Sequence, residues 1–159
     1  MTLKITPFLW FDTEAEAAAR FYCALFPNSH VGEITRYGPA GPGELGRVMA
    51  VSFVLDGLPV TALNGGPMYK PSEAFSLSIS CEDQAEVDRY WNALTADGGQ
   101  EGPCAWCKDR WGYSWQVVPK ALPALLANPD RAKATRAMQA MMQMKKIIIA
   151  DLESAAEMA

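Results

Sequence analysis

Ala18-Ala-Arg-Phe21-Tyr22-Cys-Ala-Leu25 and Val87-Asp-Arg-Tyr90-Trp91-Asn-Ala-Leu94 are two versions of one pattern. In each, apolar side chains fall at i, i+3, i+4 and i+7, a single stripe on a helix of 3.6 residues per turn. Every member of the first stripe has its partner 69 residues later, and Arg20 and Arg89 keep the same offset. Each helix opens on a capping-box pattern, Thr13 with Glu16 and Asp83 with Glu86, whose side chains serve amide groups that the first turn leaves unpaired.

The segments around the helices repeat as well. Ile5–Phe11 precedes the first as an apolar, aromatic strand, and Phe75–Ser80 precedes the second with clean period-two alternation. After the first helix, Val31–Tyr37 reads as a strand, followed by the glycine- and proline-rich loop 38–43. Val48–Leu55 and Leu58–Leu63 then flank Asp56-Gly57, a hairpin signal. After the second helix the strands are shorter, Cys104–Cys107 and Tyr113–Val118, with a turn near Asp109–Gly112. Each half reads β-α-β-β-β, which predicts a duplicated α+β domain over 1–120, its modules covering about 1–67 and 68–120.

From Ala121 the pattern changes. Leu122, Leu125 and Leu126 make a short helical turn, Asn128-Pro129-Asp130 interrupts it, and a second helix starts near Arg131. Met138, Met141 and Met142 form its apolar stripe, extended by Ile148, Leu152 and Ala155. This helical tail, 121–159, reads as a clamp on the domain or on a partner subunit, with methionines as adaptable packing.

Composition narrows the function. Of 159 residues half are apolar and a fifth charged, with a net charge of −4; a nucleic-acid partner, which calls for a basic face, is not expected. No run approaches the roughly 20 apolar residues of a membrane span, and Met1–Ala17 does not read as a secretory leader. Four cysteines in that setting imply reduced thiols and a cytoplasmic protein. The single histidine, His30, rules out a site built on two or three imidazoles from this chain, and its place beside the Asn28-Ser29 turn reads as a surface or capping role.

Ile5-Thr-Pro-Phe-Leu-Trp-Phe-Asp12, Arg20-Phe-Tyr22, Leu25-Phe-Pro27, Ala62-Leu-Asn-Gly-Gly-Pro67 and Lys108-Asp-Arg-Trp-Gly-Tyr-Ser-Trp-Gln116 resemble the PhnB-like branch of the vicinal oxygen chelate superfamily. The tail segment Met138–Ile147 shares the resemblance. This branch often carries the label demethylubiquinone methyltransferase-like, and the superfamily includes glyoxalase I, extradiol dioxygenases and bleomycin-resistance proteins. The resemblance implies two βαβββ modules whose curved sheet forms a cavity, usually completed in a homodimer. It also implies a divalent metal held by His, Glu or Gln from the first and last strands of each module.

Strand alternation sends Leu9 and Phe11 to the helices and leaves Thr6, Phe8 and Trp10 inward. Likewise Phe75, Leu77 and Ile79 turn to the helices, leaving Ala74, Ser76 and Ser78. On the last strand Trp115 and Val117 go one way, Ser114, Gln116 and Val118 the other. The four metal positions then read Thr6, Thr61 (or Ala62 in the adjacent frame), Ala74 and Gln116. One neutral amide cannot hold zinc, nickel or iron(II), which need three or four N, S or carboxylate donors. No metal and no cofactor are expected.

Other chemistry is thinner. Cys104-Ala-Trp-Cys107 is a CxxC, but it falls on an expected strand rather than at a helix N-terminus, where a thiol is activated. Gly38–Gly43 and Gly65-Gly66-Pro67 lack the following helix that the glycine turn of a Rossmann-type S-adenosylmethionine site requires; the first reads as a long loop between strands. Asn64 either orients a ligand or satisfies the Gly65-Gly66 turn. Phe8, Trp10, Trp106, Trp111 and Trp115 either pack as core or line an apolar cavity. The leading expectation is a metal-free, homodimeric small-molecule-binding protein, with Thr6, Phe8, Trp10, Thr61, Ser76, Trp106 and Gln116 around a hydrophobic or planar ligand. The alternatives are a metal-independent enzyme on an aromatic or quinone-like substrate, with Glu33 and Tyr37 as acid–base candidates, or a methyltransferase as the family label suggests.

Overall fold

The computed structural model describes residues 3–158, which divide into a unit ending at Lys70 and a unit from Pro71 onward. In the first unit the elements run β1 (Phe8–Phe11), α1 (Ala15–Leu25), β2 (His30–Arg36), β3 (Val48–Leu55) and β4 (Leu58–Asn64). Its sheet has the order β1-β4-β3-β2, with β1 parallel to β4 and the other pairs antiparallel. The second unit runs β5 (Ser76–Cys81), α2 (Gln84–Thr95), β6 (Gln100–Glu101), β7 (Trp106–Lys108) and β8 (Ser114–Pro119), then three helices. Its sheet, β5-β8-β7-β6, repeats the first strand for strand, with β5 parallel to β8. The duplicated βαβββ reading holds.

In the first unit one sheet face is packed by α1. Leu9 and Phe11 of β1, Val51, Phe53 and Leu55 of β3, and Val60 and Ala62 of β4 are buried with Ala15, Ala18, Ala19 and Tyr22 of the helix. Tyr22 stacks on Phe53 at 6.3 Å between ring centroids. The helix stripe is thus shifted toward its alanines, which let helix and sheet approach closely, while Phe21 and Leu25 are only half-buried. The Asp56-Gly57 hairpin forms as expected: both residues have positive φ, 45° and 81°, the handedness that matches strand twist.

The caps divide. At α2, Asp83 accepts the Glu86 amide at 2.9 Å in the predicted manner. At α1 the Thr13–Glu16 box does not form. The N-cap is Glu14, whose φ of −104° and ψ of 17° lie outside the extended region a capping side chain needs. Glu16 instead accepts from Arg20 one turn on.

Several expected boundaries move. The first strand starts at Phe8, so Thr6 precedes it and is exposed. Phe75, expected to face a helix, lies before β5 and is 45% exposed; Ile79 and Cys81 carry the buried parity instead. The strand expected over Cys104–Cys107 is displaced to Trp106–Lys108, because Cys104 and Ala105 take positive φ, 54° and 74°, which no strand residue can. Their amides turn toward the tail, donating to the Met144 and Lys145 carbonyls at 2.8 and 2.9 Å. Gln100–Glu101, absent from the sequence reading, supplies the missing edge strand.

The tail forms α3 (Ala121–Leu126), α4 (Arg131–Met141) and α5 (Ile149–Glu157). Leu122, Ile147 and Leu152 build a small core with Ala105, backed by Leu125, Leu126 and Met144. The methionine stripe holds only at Met141, which packs against that core; Ala134 and Ala137 are buried, while Met138 and Met142 are exposed. Small residues on α4 allow close helix contact, which turns Met138 and Met142 outward. On α5 the buried alanine is Ala156, one residue beyond the expected Ala155. No described helix is long and apolar enough to cross a membrane.

Candidate functional site

Each sheet has one face turned away from its helix, and these open faces carry most of the expected site residues. In the first unit Phe8 and Trp10 of β1 stand beside Thr61 and Leu63 of β4, which in turn pair with Ser52 and Ala50 of β3. Phe8 is 64% exposed, whereas Leu9 and Phe11, its alternating neighbours, are buried. Trp10 is half-buried and fixed: its Nε1 donates to the Gly66 carbonyl at 2.8 Å, and its ring meets Tyr69 edge-on at 4.9 Å. Gly65 lies directly against the Trp10 ring, where any Cβ would overlap it. Thr61 is half-buried; Ala62, the adjacent frame, faces the helix-packed core between Leu9 and Val51.

The acid–base candidates are separated by environment. Glu33 lies exposed at a bulge where Gly32 and Glu33 oppose Ser52, and its amide donates to Ser52 Oγ at 2.8 Å. The Tyr37 hydroxyl donates to the Asn64 carbonyl at 2.5 Å. Tyr37 also lines an open groove of about 570 Å³ with Arg36, Arg47, Asp12, Asn64 and Gly66, and Glu33 lies outside it. The Asn64 side chain caps α1, its Oδ1 accepting the Ala15 amide at 2.8 Å, rather than closing the glycine turn.

In the second unit the open face carries Ser76 and Ser78 of β5, Ser114 and Gln116 of β8, and Trp106 and Lys108 of β7. Gln116 Nε2 donates to Ser76 Oγ at 3.0 Å, and Trp106 sits across from Gln116. Trp115 belongs to the opposite face. It is buried there, with Nε1 donating to Asp109 Oδ2 at 2.9 Å, so it is core rather than lining. Two further amides, of Trp111 and Tyr113, donate to Asp109 Oδ1.

The family model described as 3-demethylubiquinone-9 3-methyltransferase matches residues 3–118, both βαβββ modules. The chain belongs to this PhnB-like family. The PhnB protein from Bacillus cereus is 32% identical over 74% of this chain and 99% of its own, with a TM-score of 0.65. Protein PA1353 from Pseudomonas aeruginosa is 23% identical over 72% of this chain and 95% of its own, with a TM-score of 0.59, a likeness of fold. No functionally curated protein matches the chain.

The divalent ion that the superfamily resemblance implies finds poor donors in this PhnB-like chain. Of the four corresponding positions, Thr6 lies outside its strand, Thr61 offers a hydroxyl, Ala74 offers nothing and Gln116 is bonded to Ser76. None is an imidazole, thiolate or carboxylate, so the set does not fit zinc, nickel or iron(II). Among the described residues, no three His, Cys, Asp or Glu side chains are grouped to hold a metal elsewhere. His30 lies exposed at the start of β2.

Cys107 of the CxxC run is not an activated thiol. Cys107 is buried on the helix side of β7, and burial, with the Asp109 and Glu101 carboxylates adding, pushes its thiol up to about 12. Nucleophilic cysteines have the opposite shift. Two residues the sequence reading did not single out are Lys108 and Asp109. Both follow from the same run: Trp106 and Lys108 alternate onto the open face of β7, and Asp109 begins the turn that Gly112 closes with a φ of 88°.

Proposed function

We propose that this chain binds a planar or apolar small molecule on its open sheet faces, without a metal ion, as a cytoplasmic homodimer. The exposure of Phe8 carries the reading. An aromatic ring that alternates with fully buried Leu9 and Phe11 on one strand is left bare on the other face, beside Trp10 and the polar Thr61. A flat aromatic surface with a few hydroxyls and amides suits a ring-shaped ligand, through area burial and stacking with a polar anchor at its margin. Ser76 and Gln116 on the second sheet, already hydrogen-bonded to each other, are anchors of the same kind. The exposed Met138 and Met142 offer apolar surface for a second copy.

The experiment is a tryptophan-fluorescence titration of the purified chain with neutral quinones, paired with elemental analysis and calorimetric titration of Ni(II), Zn(II), Mn(II) and Fe(II). Saturable quenching by a quinone, with no stoichiometric metal, is the expected result. Tight metal binding at one ion per chain would overturn the metal-free reading, and absence of quenching by every quinone would overturn the ligand. Sedimentation at micromolar concentration checks the dimer.

A further inference from the structure

We propose that the pocket walled by β6, β7 and β8 takes a small aromatic carboxylate, its ring against Trp106 and its carboxylate between Lys108 and Ser114. The pocket encloses about 220 Å³ and includes Glu73, Gln100, Trp106, Lys108 and Ser114 in its lining. That is below the roughly 300–1,000 Å³ of pockets for drug-sized ligands, and suits a single ring. The inference rests on the aromatic-ligand reading of the open face and adds the polar end of the ligand.

Ser114 is the observation that points to a ligand. It is 2% exposed, and its hydroxyl has no hydrogen-bond partner. A buried hydroxyl left unpaired costs stability, and native proteins rarely keep one without a use. Strand register places Lys108 directly across from Ser114, so both side chains leave the same face of neighbouring strands. Trp106 is two residues along β7 on that face, within reach of a ring whose carboxylate lies at Lys108.

The pocket already holds one carboxylate. Lys108 pairs with Glu73 at 2.5 Å, and this hydrogen bond holds the Glu73 carboxyl below the usual carboxylate range. Glu73 is the more exposed partner, on a turn before β5. A ligand carboxylate can take its place on the ammonium with the same geometry while also accepting from Ser114, which Glu73 does not reach. Glu73 and Glu101 both line the pocket, leaving no surplus positive charge for a phosphate dianion. A monoanion with an apolar body asks only for the one ammonium of Lys108, in exchange for Glu73.

The test is calorimetry on the full chain at low salt with benzoate and its neutral counterpart methyl benzoate. Benzoate should bind about tenfold or more tightly than the ester, the scale of one charge-assisted hydrogen bond. Lys108→Met should erase that preference and Ser114→Ala should weaken benzoate several-fold, with both variants still melting cooperatively. Glu73→Gln should tighten benzoate, because it frees the ammonium, an effect that a merely structural Lys108 would not produce. Equal affinity for the two probes, or benzoate binding unchanged by Lys108→Met, would overturn the inference while leaving the aromatic-ligand reading in place. Failure of both probes in a chain that still binds quinones would also sink it, whereas failure with quinones as well would remove both readings.

Discussion

Asn64 ties the end of β4 to the start of α1: its Oδ1 accepts the Ala15 amide at 2.8 Å while its Nδ2 donates to the Val48 carbonyl at 3.1 Å. A cap normally comes from the residue just before the helix; here it comes from 49 residues away. Its backbone carbonyl also receives the Tyr37 hydroxyl. One asparagine therefore joins helix, sheet and the loop after β2.

Asn64→Ala should cost about 1–2 kcal/mol, the range of a lost cap plus a half-buried carbonyl left without its donor. Asn64→Asp keeps the acceptor and should recover part of the loss. Urea denaturation measures both. An alanine variant within about 0.5 kcal/mol of the parent, the scatter of ordinary surface changes, would show that another group serves the Ala15 amide.

Asp109 is 2% exposed and accepts from the Trp111 and Tyr113 amides and from Trp115 Nε1, at 2.9, 3.0 and 2.9 Å. Asp109→Ala strands three donors around a buried turn. At about 1–3 kcal/mol for each buried group left unsatisfied, a loss of about 3 kcal/mol or more is expected. Asp109→Asn keeps acceptor oxygen but brings an N–H₂ toward those donors, so it should recover only part. Thermal melting with the Trp115 emission as a second probe checks this. Equal stability of all three proteins would contradict the role.

The sequence carried the fold because its two halves repeat one helical stripe, and repetition is visible without knowing what packs on what. Val87, Tyr90, Trp91 and Leu94 are all buried as the spacing predicts. What could not be read was any feature fixed by distant residues. Thr13 has the right chemistry for a cap, but Asn64 has the right position. Cys104 and Ala105 alternate like strand residues, yet their positive φ serves amides that reach the tail. On the open faces, alternation placed Phe8, Trp10, Ser76 and Gln116 away from the helices and set Trp115 opposite Gln116, where the Asp109 carboxylate anchors its indole in the core; it left Thr61 open against Ala62 and gave Trp106 no face, because the strand boundary around Cys104 and Ala105 was not readable. Ser114 was assigned its face, but that its hydroxyl is buried and unpaired is a property of packing alone.

Two buried thiols set an alkaline limit. Burial pushes Cys81 and Cys107 up to about 12, from 9.0 when unperturbed. Above pH 9 the unfolded chain releases these protons and the native chain does not, so unfolding becomes more favourable. Their contribution is fully present below about pH 9 and is lost as pH rises from there toward 12, at up to about 1.4 kcal/mol per pH unit for each thiol. Replacing both cysteines by alanine should flatten the fall in stability between pH 9 and 10.5, measured by urea midpoints. An unchanged slope in that double variant would place the alkaline sensitivity elsewhere.

Phe8 separates binding from folding. Because its ring is mostly exposed, Phe8→Ser should alter stability by no more than about 0.5 kcal/mol. The same change removes ring area from the open face, so quinone affinity should fall by about tenfold, on the scale of one aromatic contact. Fluorescence titration beside a melting curve reads both. A large loss of stability with intact affinity would mean that the ring is covered in solution.

Gln84 holds the tail to α2. Its Nε2 donates to the Ile147 carbonyl at 2.9 Å, and its Oε1 accepts the Ile149 amide at 2.8 Å, so one side chain satisfies both sides of the entry to α5. Lys146 adds an ion pair to Asp88 one turn along the same helix. Partly exposed pairs contribute little, which leaves the amide as the main side-chain link, beside the Cys104 and Ala105 amides on the Met144 and Lys145 carbonyls and the apolar contacts of Ile147 and Leu152. Gln84→Ala should therefore cost about 1–2 kcal/mol in total, with a larger effect locally. Amide exchange should accelerate over 147–157 while the sheet of the first unit keeps its protection, and limited proteolysis should cut first near Gln143–Lys146. Gln84→Glu keeps the acceptor for Ile149 but sets a carboxylate against the Ile147 carbonyl, so it should free the tail as well. Uniform protection in both variants would mean that the apolar contacts and the Cys104 and Ala105 amides fasten these helices without Gln84.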